Sequence, residues 1–189
     1  MQIILASNSL RRLDLLRQIG IEPVVIPSHV PEVIKVGEPP EDAALRLAIE
    51  KASEVAGQFQ EGLVIGADTI VVIDGEQLGK PEDRDDAKNM LRLLSGRSHT
   101  VITGMAVIDA KTSEQKTTLA KTKVKFKPVS DEEINAYIAT GDPMDKAGAY
   151  GIQGRAAAFI DGIEGCYSNV VGLPLSELAE MLKSFGCKI

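Results

Sequence analysis

The sequence predicts an α/β fold built on a mixed β-sheet flanked by helices. Three observations carry this. Short apolar runs rich in β-branched residues alternate with amphipathic stretches of helical period. One run, Leu63 to Ile73 (LVIGADTIVVI), is nearly continuous, as a central strand covered on both faces would be. Two long stretches, 98–109 and 117–127, follow one another as a strand pair.

The elements follow in order. Residues 2–6 are expected as a strand running into the turn LASNSLRR, and residues 10–19 as a helix closed by Gly20. Residues 22–26 alternate toward a second strand. Pro39-Pro40-Glu41-Asp42 opens a helix with acids in its first turn, and this helix runs to about Ala56 and stops at Gly57. After the strand 63–73, Asp74-Gly75 gives a hairpin-type turn. Asp83 to Leu94 is amphipathic, with Ala87, Met90, Leu91 and Leu94 on one face. Ser130, with Glu133 three residues on, forms a capping box for a helix over 131–140. Residues 156–160 are expected as a strand and Ser176 to Phe185 as the last helix. There is no internal repeat, low-complexity tract or long linker.

The bulk numbers exclude several function classes. A chain of 189 residues fits one domain or two joined lobes. Aromatic residues make up 4% and Trp is absent, which argues against base-stacking platforms for single strands. A net charge of −6 argues against a duplex-binding surface, although it allows a local basic pocket. Cys166 and Cys187 form no C-x-x-C pair and are read as free, packed thiols in a reducing compartment. The N-terminus lacks the charged region of a signal peptide, and no apolar run approaches the roughly 18 residues of a membrane span. A cytoplasmic protein is expected.

Functional residues tend to stand where a sequence breaks local rules. Arg11 and Arg12 fall in the first turn of the first helix, where the macrodipole disfavours cations. A helix N-terminus offers free N–H groups, Ser7 and Ser9 add hydroxyls, and the arginines add forked donors, so a bound polyphosphate would reverse the penalty. The alternative is an N-cap Ser9 followed by solvated arginines. Asp68 stands inside the apolar strand, where an unpaired carboxylate costs several kcal/mol. It needs a partner: a metal ion, a water, or a structural hydrogen bond. Lys51 lies on the apolar stripe Ala44, Leu47, Ala48, Val55, so its ammonium either snorkels outward or points into a cleft.

Gly75 to Lys80 superficially resembles a phosphate loop, but the spacing is one residue short and Pro81 stands where Ser or Thr is required. Lys80 remains either a phosphate contact or a solvated turn residue. The stretch from Asp142 to Gly154 is dense in glycine and charge, as a ligand-contacting loop or an irregular surface loop would be. His29 and His99 are the only histidines, in no zinc spacing, and no G-x-S-x-G elbow exists. Cations for an anion and carboxylates for a divalent metal remain, a combination suited to metal-assisted phosphoryl chemistry.

LASNSLRR, GADTIVV, LGKP, LSGRSHTVITG and DKAGAYGIQG, in this order, resemble the Maf family of nucleoside triphosphate pyrophosphatases. One departure is visible: Leu10 replaces the proline that usually precedes the arginine pair. The resemblance implies a single domain over residues 1–189, with an extended mixed sheet and two lobes about a central cleft. It implies hydrolysis of a nucleoside triphosphate between the α and β phosphates. Arg11, Thr69 and Gln153 match the branch that prefers dTTP and UTP, and Gln153 could read a thymine or uracil edge. Asp68 matches the proton acceptor. Ser7, Arg12, Glu32, Lys51 and Lys80 match other active-site positions, with Glu32 in the loosest match. Asp68 and Glu32 would hold Mg²⁺ or Mn²⁺. Arg12, Lys51 and Lys80 would stabilise phosphate charge. The expected partner is the nucleotide, with no nucleic acid and no membrane, and a homodimer is carried as an expectation. The rival is a non-catalytic nucleotide-binding regulator of septum formation and cell division, which would need the cations but not Asp68.

Overall fold

The first helix begins where its sequence permits. The Ser9 side chain accepts from the Arg12 backbone N–H, and α1 (Leu10–Gln18) ends before Gly20, whose φ of 78° the left-handed turn requires. The computed structural model describes residues 1–188. Strand β1 (Ile3–Leu5) precedes α1, and β2 (Val24–Val25) follows it. Helix α2 (Pro40–Ala56) leads to β3 (Leu63–Ile73), β4 (Glu76–Leu78) and α3 (Arg84–Leu94). The long strands β5 (Ser98–Asp109) and β6 (Gln115–Phe126) follow. Helix α4 (Asp131–Ile138), strand β7 (Ile160–Glu164), and helices α5 (Tyr167–Val171) and α6 (Leu175–Ser184) complete the order.

The seven strands run β2-β1-β3-β5-β6-β7, with β4 pairing β3 off this path. Strand β1 is parallel to both β2 and β3, whereas β3–β4 and β6–β7 are antiparallel, so the sheet is mixed as expected. The chain divides into two compact units: one from 1–69, 103–120 and the residues from Gly172 on, the other from Ile70–Ile102 and Lys121–Val171. Among the described residues no helix is long and apolar enough to cross a membrane.

In the first unit, α2 lies unusually close to its sheet. A Cβ on Gly66 of β3 would come within 2.3 Å of the Ala48 carbonyl oxygen, and one on Gly104 of β5 within 2.4 Å of that of Ala44. Only glycine allows this approach, and it seals Ala48, Ala52 and Val55 against Ile4, Val64 and Ala106. The same closeness brings Lys51 of α2 down onto β3.

The second unit has its own core, in which Leu78, Ala87, Leu91 and Leu94 join Val124, Ile134 and Phe159. Phe126, Tyr150 and His99 meet edge to face, with Phe126 and Tyr150 centroids 4.9 Å apart. The Ser130 capping box is formed in both directions. Asp74 (φ 51°) and Gly75 (φ 84°) make the tight turn, and β4 returns along β3.

Three expectations change. The strand expected over 156–160 is a 3₁₀ turn, Arg155–Phe159, and the strand begins at Ile160. Three successive alanines carry little strand preference, while β7 itself is a half-exposed edge with no apolar alternation to reveal it. The strand expected over 22–26 shrinks to two residues between Pro23 and Pro27, which limit its ladder. The short helix α5 lies where no element was expected.

Candidate active site

Strand β3 positions the centre of the first unit. Successive side chains alternate across a strand, so Asp68 and Thr69 leave it on opposite faces. Asp68 shares its face with Gly66 and meets α2 there. Its Oδ1 lies 2.5 Å from Lys51 Nζ, which also donates to Glu32 Oε1 at 2.7 Å. Asp68 is 7% exposed and Lys51 5% exposed, whereas Glu32 lies in an exposed part of the 26–39 loop. Asp68 has found its partner in the ammonium that the sequence left undecided. Burial raises the Asp68 pKa above its ordinary value, opposed by the charge and hydrogen bond of Lys51 and the charge of Arg12.

On the other face stands Arg12. Its Nε donates to the Gly172 carbonyl at 2.8 Å, Nη1 to Ser7 Oγ at 3.2 Å and Nη2 to Thr69 Oγ1 at 3.2 Å. Thr69 Oγ1 lies 2.9 Å from Thr103 Oγ1 on β5. Gly172 has a φ of 121°, a conformation open to glycine, which aims its carbonyl at the arginine. These bonds use three of five guanidinium N–H donors and leave one on each terminal nitrogen. Desolvation draws the Arg12 pKa below its ordinary value, opposed by Asp68 and Glu32, so the cation and the two carboxylates feel one another.

Ser7, Arg12, Glu32, Lys51, Asp68 and Thr69 are thus gathered in the first unit, with Arg11 beside Arg12 on α1. Lys80 and Gln153 belong to the second unit and are both exposed there. Within that unit their two motifs are joined: the Gly148 N–H donates to the Gly79 carbonyl at 3.0 Å. Gly148 adopts a φ of 67° with Val71 3.0 Å from where a Cβ would lie, which accounts for its place in the glycine-dense stretch.

Sequence reasoning missed Thr103 and Gly172. Thr103 carried a signal, a hydroxyl inside the apolar run 101–108, but a β-branched residue suits a strand and so drew no attention. Gly172 carried none, because the need for its φ comes from Arg12, 160 residues earlier.

Asp68 and Glu32 are the carboxylates here that could serve a divalent cation. An Mg²⁺ ion is usually held by one or two carboxylates together with substrate phosphates rather than by a protein cage. Asp68 and Glu32 already converge on one cationic atom, Lys51 Nζ. No cluster of three or more His, Cys, Asp or Glu suited to a metal occurs among the described residues.

A family model described as Maf-like protein matches residues 2–185. The chain belongs to the Maf family. It is 53% identical over 188 residues to a dTTP/UTP pyrophosphatase of Pelotomaculum thermopropionicum, covering 100% of this chain and 98% of that protein. A dTTP/UTP pyrophosphatase of Geobacter sulfurreducens is 54% identical over 185 residues, covering 98% and 97%. Among solved structures, the Staphylococcus aureus Ham1 protein superposes with a TM-score of 0.55 at 15% identity, covering 97% of this chain and 99% of that one. This last likeness shows the fold: the Maf chain and Ham1 share an architecture.

Proposed function

We propose that this Maf-family protein hydrolyses dTTP and UTP, and modified pyrimidine nucleotides of the same shape, to the monophosphate and pyrophosphate. One observation carries the reading: a buried carboxylate, Asp68, joined to Lys51 at 2.5 Å and electrostatically coupled to Arg12. Relatives named dTTP/UTP pyrophosphatases at 53% and 54% identity support the substrate class.

In this reading Asp68 accepts the proton of the attacking water. The water oxygen bonds to phosphorus at the α–β bridge, the bridging P–O bond breaks, and its electron pair leaves on pyrophosphate. Arg12 and Lys51, with Lys80, stabilise the negative charge that moves onto the leaving group. Ser7 and the N-terminal turn of α1 offer donors to phosphate oxygens. Arg11 and Thr69 bind substrate, and Gln153 pairs with the pyrimidine edge. Asp68 and Glu32 would hold Mg²⁺ or Mn²⁺, which when bound neutralises phosphate charge. The reading takes residues 1–189 as one two-lobed domain, acting in the cytoplasm as a homodimer without nucleic-acid or membrane partners.

Incubation with a panel of nucleoside triphosphates and Mg²⁺ tests it. Pyrophosphate and monophosphate should appear from dTTP and UTP ahead of the other nucleotides, and EDTA should stop their release. Release of orthophosphate, or full activity in EDTA, would contradict the reading.

A further inference from the structure

We infer that Thr103 is a positioning residue that sets Arg12 for catalysis through the hydroxyl of Thr69. The inference rests on the proposed pyrophosphatase reading and deepens it.

Arginine only donates, so Thr69 Oγ1 accepts the bond from Arg12 Nη2. The same oxygen sits 2.9 Å from Thr103 Oγ1. The Thr69 hydroxyl is therefore committed on two sides before a nucleotide arrives. Thr103 itself is 0% exposed, on the central strand β5 beside β3, and its β-branched side chain has few rotamers. It is a rigid floor beneath a half-buried hydroxyl. The other wall is Gly172, where a Cβ would lie 3.4 Å from Thr69 Oγ1 and 3.6 Å from Arg12 Nε. Thus Arg12 is held at three points, and the Thr69 contact depends on a residue too deep to touch substrate.

This arrangement has a functional consequence. Long arginine side chains lose much rotamer freedom when ordered. With Thr69 pinned, the Arg12 donors left over are already oriented when the triphosphate binds, as electrostatic catalysis requires. Without Thr103 the Thr69 hydroxyl can turn away, and the guanidinium loses one of its three anchors. Catalysis should then suffer through the Thr69 hydroxyl and the Arg12 contact that it holds.

Thr103→Val keeps the shape and removes the hydroxyl; Thr103→Ser restores it; Thr69→Val cuts the same link from the strand that faces Arg12. Steady-state pyrophosphate release from dTTP, per folded molecule, is the readout. Thr103→Val should lower kcat/KM about three- to tenfold, as for one neutral hydrogen bond, and Thr103→Ser should recover most of it. Added to Thr69→Val or to Arg12→Ala, Thr103→Val should cost less than about twofold more, because the link is already broken. Additive losses, or unchanged kcat/KM in Thr103→Val, would overturn the inference. If Thr103→Val does not fold, Thr103→Ala takes its place: it should lower kcat/KM by a similar factor, its loss should shrink in the Arg12→Ala background, and an unchanged kcat/KM or a loss of full size there overturns the inference. Absence of pyrophosphate release by the unaltered protein from every nucleotide would instead overturn the pyrophosphatase reading itself.

Discussion

The guanidinium of Arg12 occupies a helix first turn, where a cation costs about 0.3–1 kcal/mol, and three protein oxygens offset that cost. Its two remaining N–H donors are what a phosphate would find. A charge-assisted contact of this kind contributes about 1.5–3 kcal/mol, so Arg12→Ala should lower kcat/KM by roughly 10- to 150-fold. Steady-state kinetics with dTTP decides it, and an unchanged kcat/KM would make Arg12 a purely structural residue. The sequence made Arg12 and Asp68 visible, because each violates a local rule. It did not reveal that Lys51 answers Asp68, since that pairing depends on how closely a helix approaches a sheet. His99 is a second residue whose state is set by packing. It is buried against Phe126 and Tyr150, with its Nε2 2.7 Å from the Tyr150 hydroxyl. Burial pushes its pKa from 6.5 down to about 4. The unfolded chain therefore takes up this proton near pH 6.5 and the folded one only near 4. Stability that is full above pH 6.5 is lost as pH falls toward 4, by up to about 3 kcal/mol. Denaturant unfolding at pH 7.5 and pH 4.5 should show this loss, and His99→Gln should show a smaller one. An equal pH dependence in the variant would refute the assignment.

At the scale of elements, the long strands and amphipathic helices were legible because burial imposes period on sequence. The helix α4 capping box was read directly from Ser130 and Glu133. What escaped was short or irregular: α5, and the 3₁₀ turn that replaced an expected strand at Arg155–Phe159. Such elements take their form from neighbours distant in sequence, with too few residues to show periodicity. The departure at Leu10 gives an element-scale prediction. Leu10 is the first residue of α1, 72% exposed, after a Ser9 at φ −70° and ψ 110°. That backbone accommodates a following proline, whose fixed φ suits the first helical position. Leu10→Pro should stabilise the protein by about 0.4–1 kcal/mol by restricting the unfolded chain. Thermal denaturation should show a higher Tm with kcat unaltered, and a lower Tm would mean that the turn is not preformed as described.

For the whole molecule, the question is whether this site turns nucleotide over or only holds it. The mixed α/β architecture was legible from the sequence, and so was membership of the family, because five motifs recur in order. The assignment of individual residues to chemistry depends on one group above the rest. A binding module needs Arg12, Lys51 and Lys80; only an enzyme needs a base at Asp68. Because Asp68 is paired with a buried lysine, stability alone cannot separate the two: Asp68→Asn strands part of the Lys51 charge, although Glu32 still accepts from it. Activity per folded molecule does separate them. The direct measurement is pyrophosphate release from dTTP and Mg²⁺ by the unaltered protein and by Asp68→Asn, normalised to folded protein, with nucleotide binding measured alongside. Binding should be retained and turnover should fall by at least about 100-fold, the scale of a lost general base. Near-normal turnover by folded Asp68→Asn would contradict the assignment of Asp68 as the base.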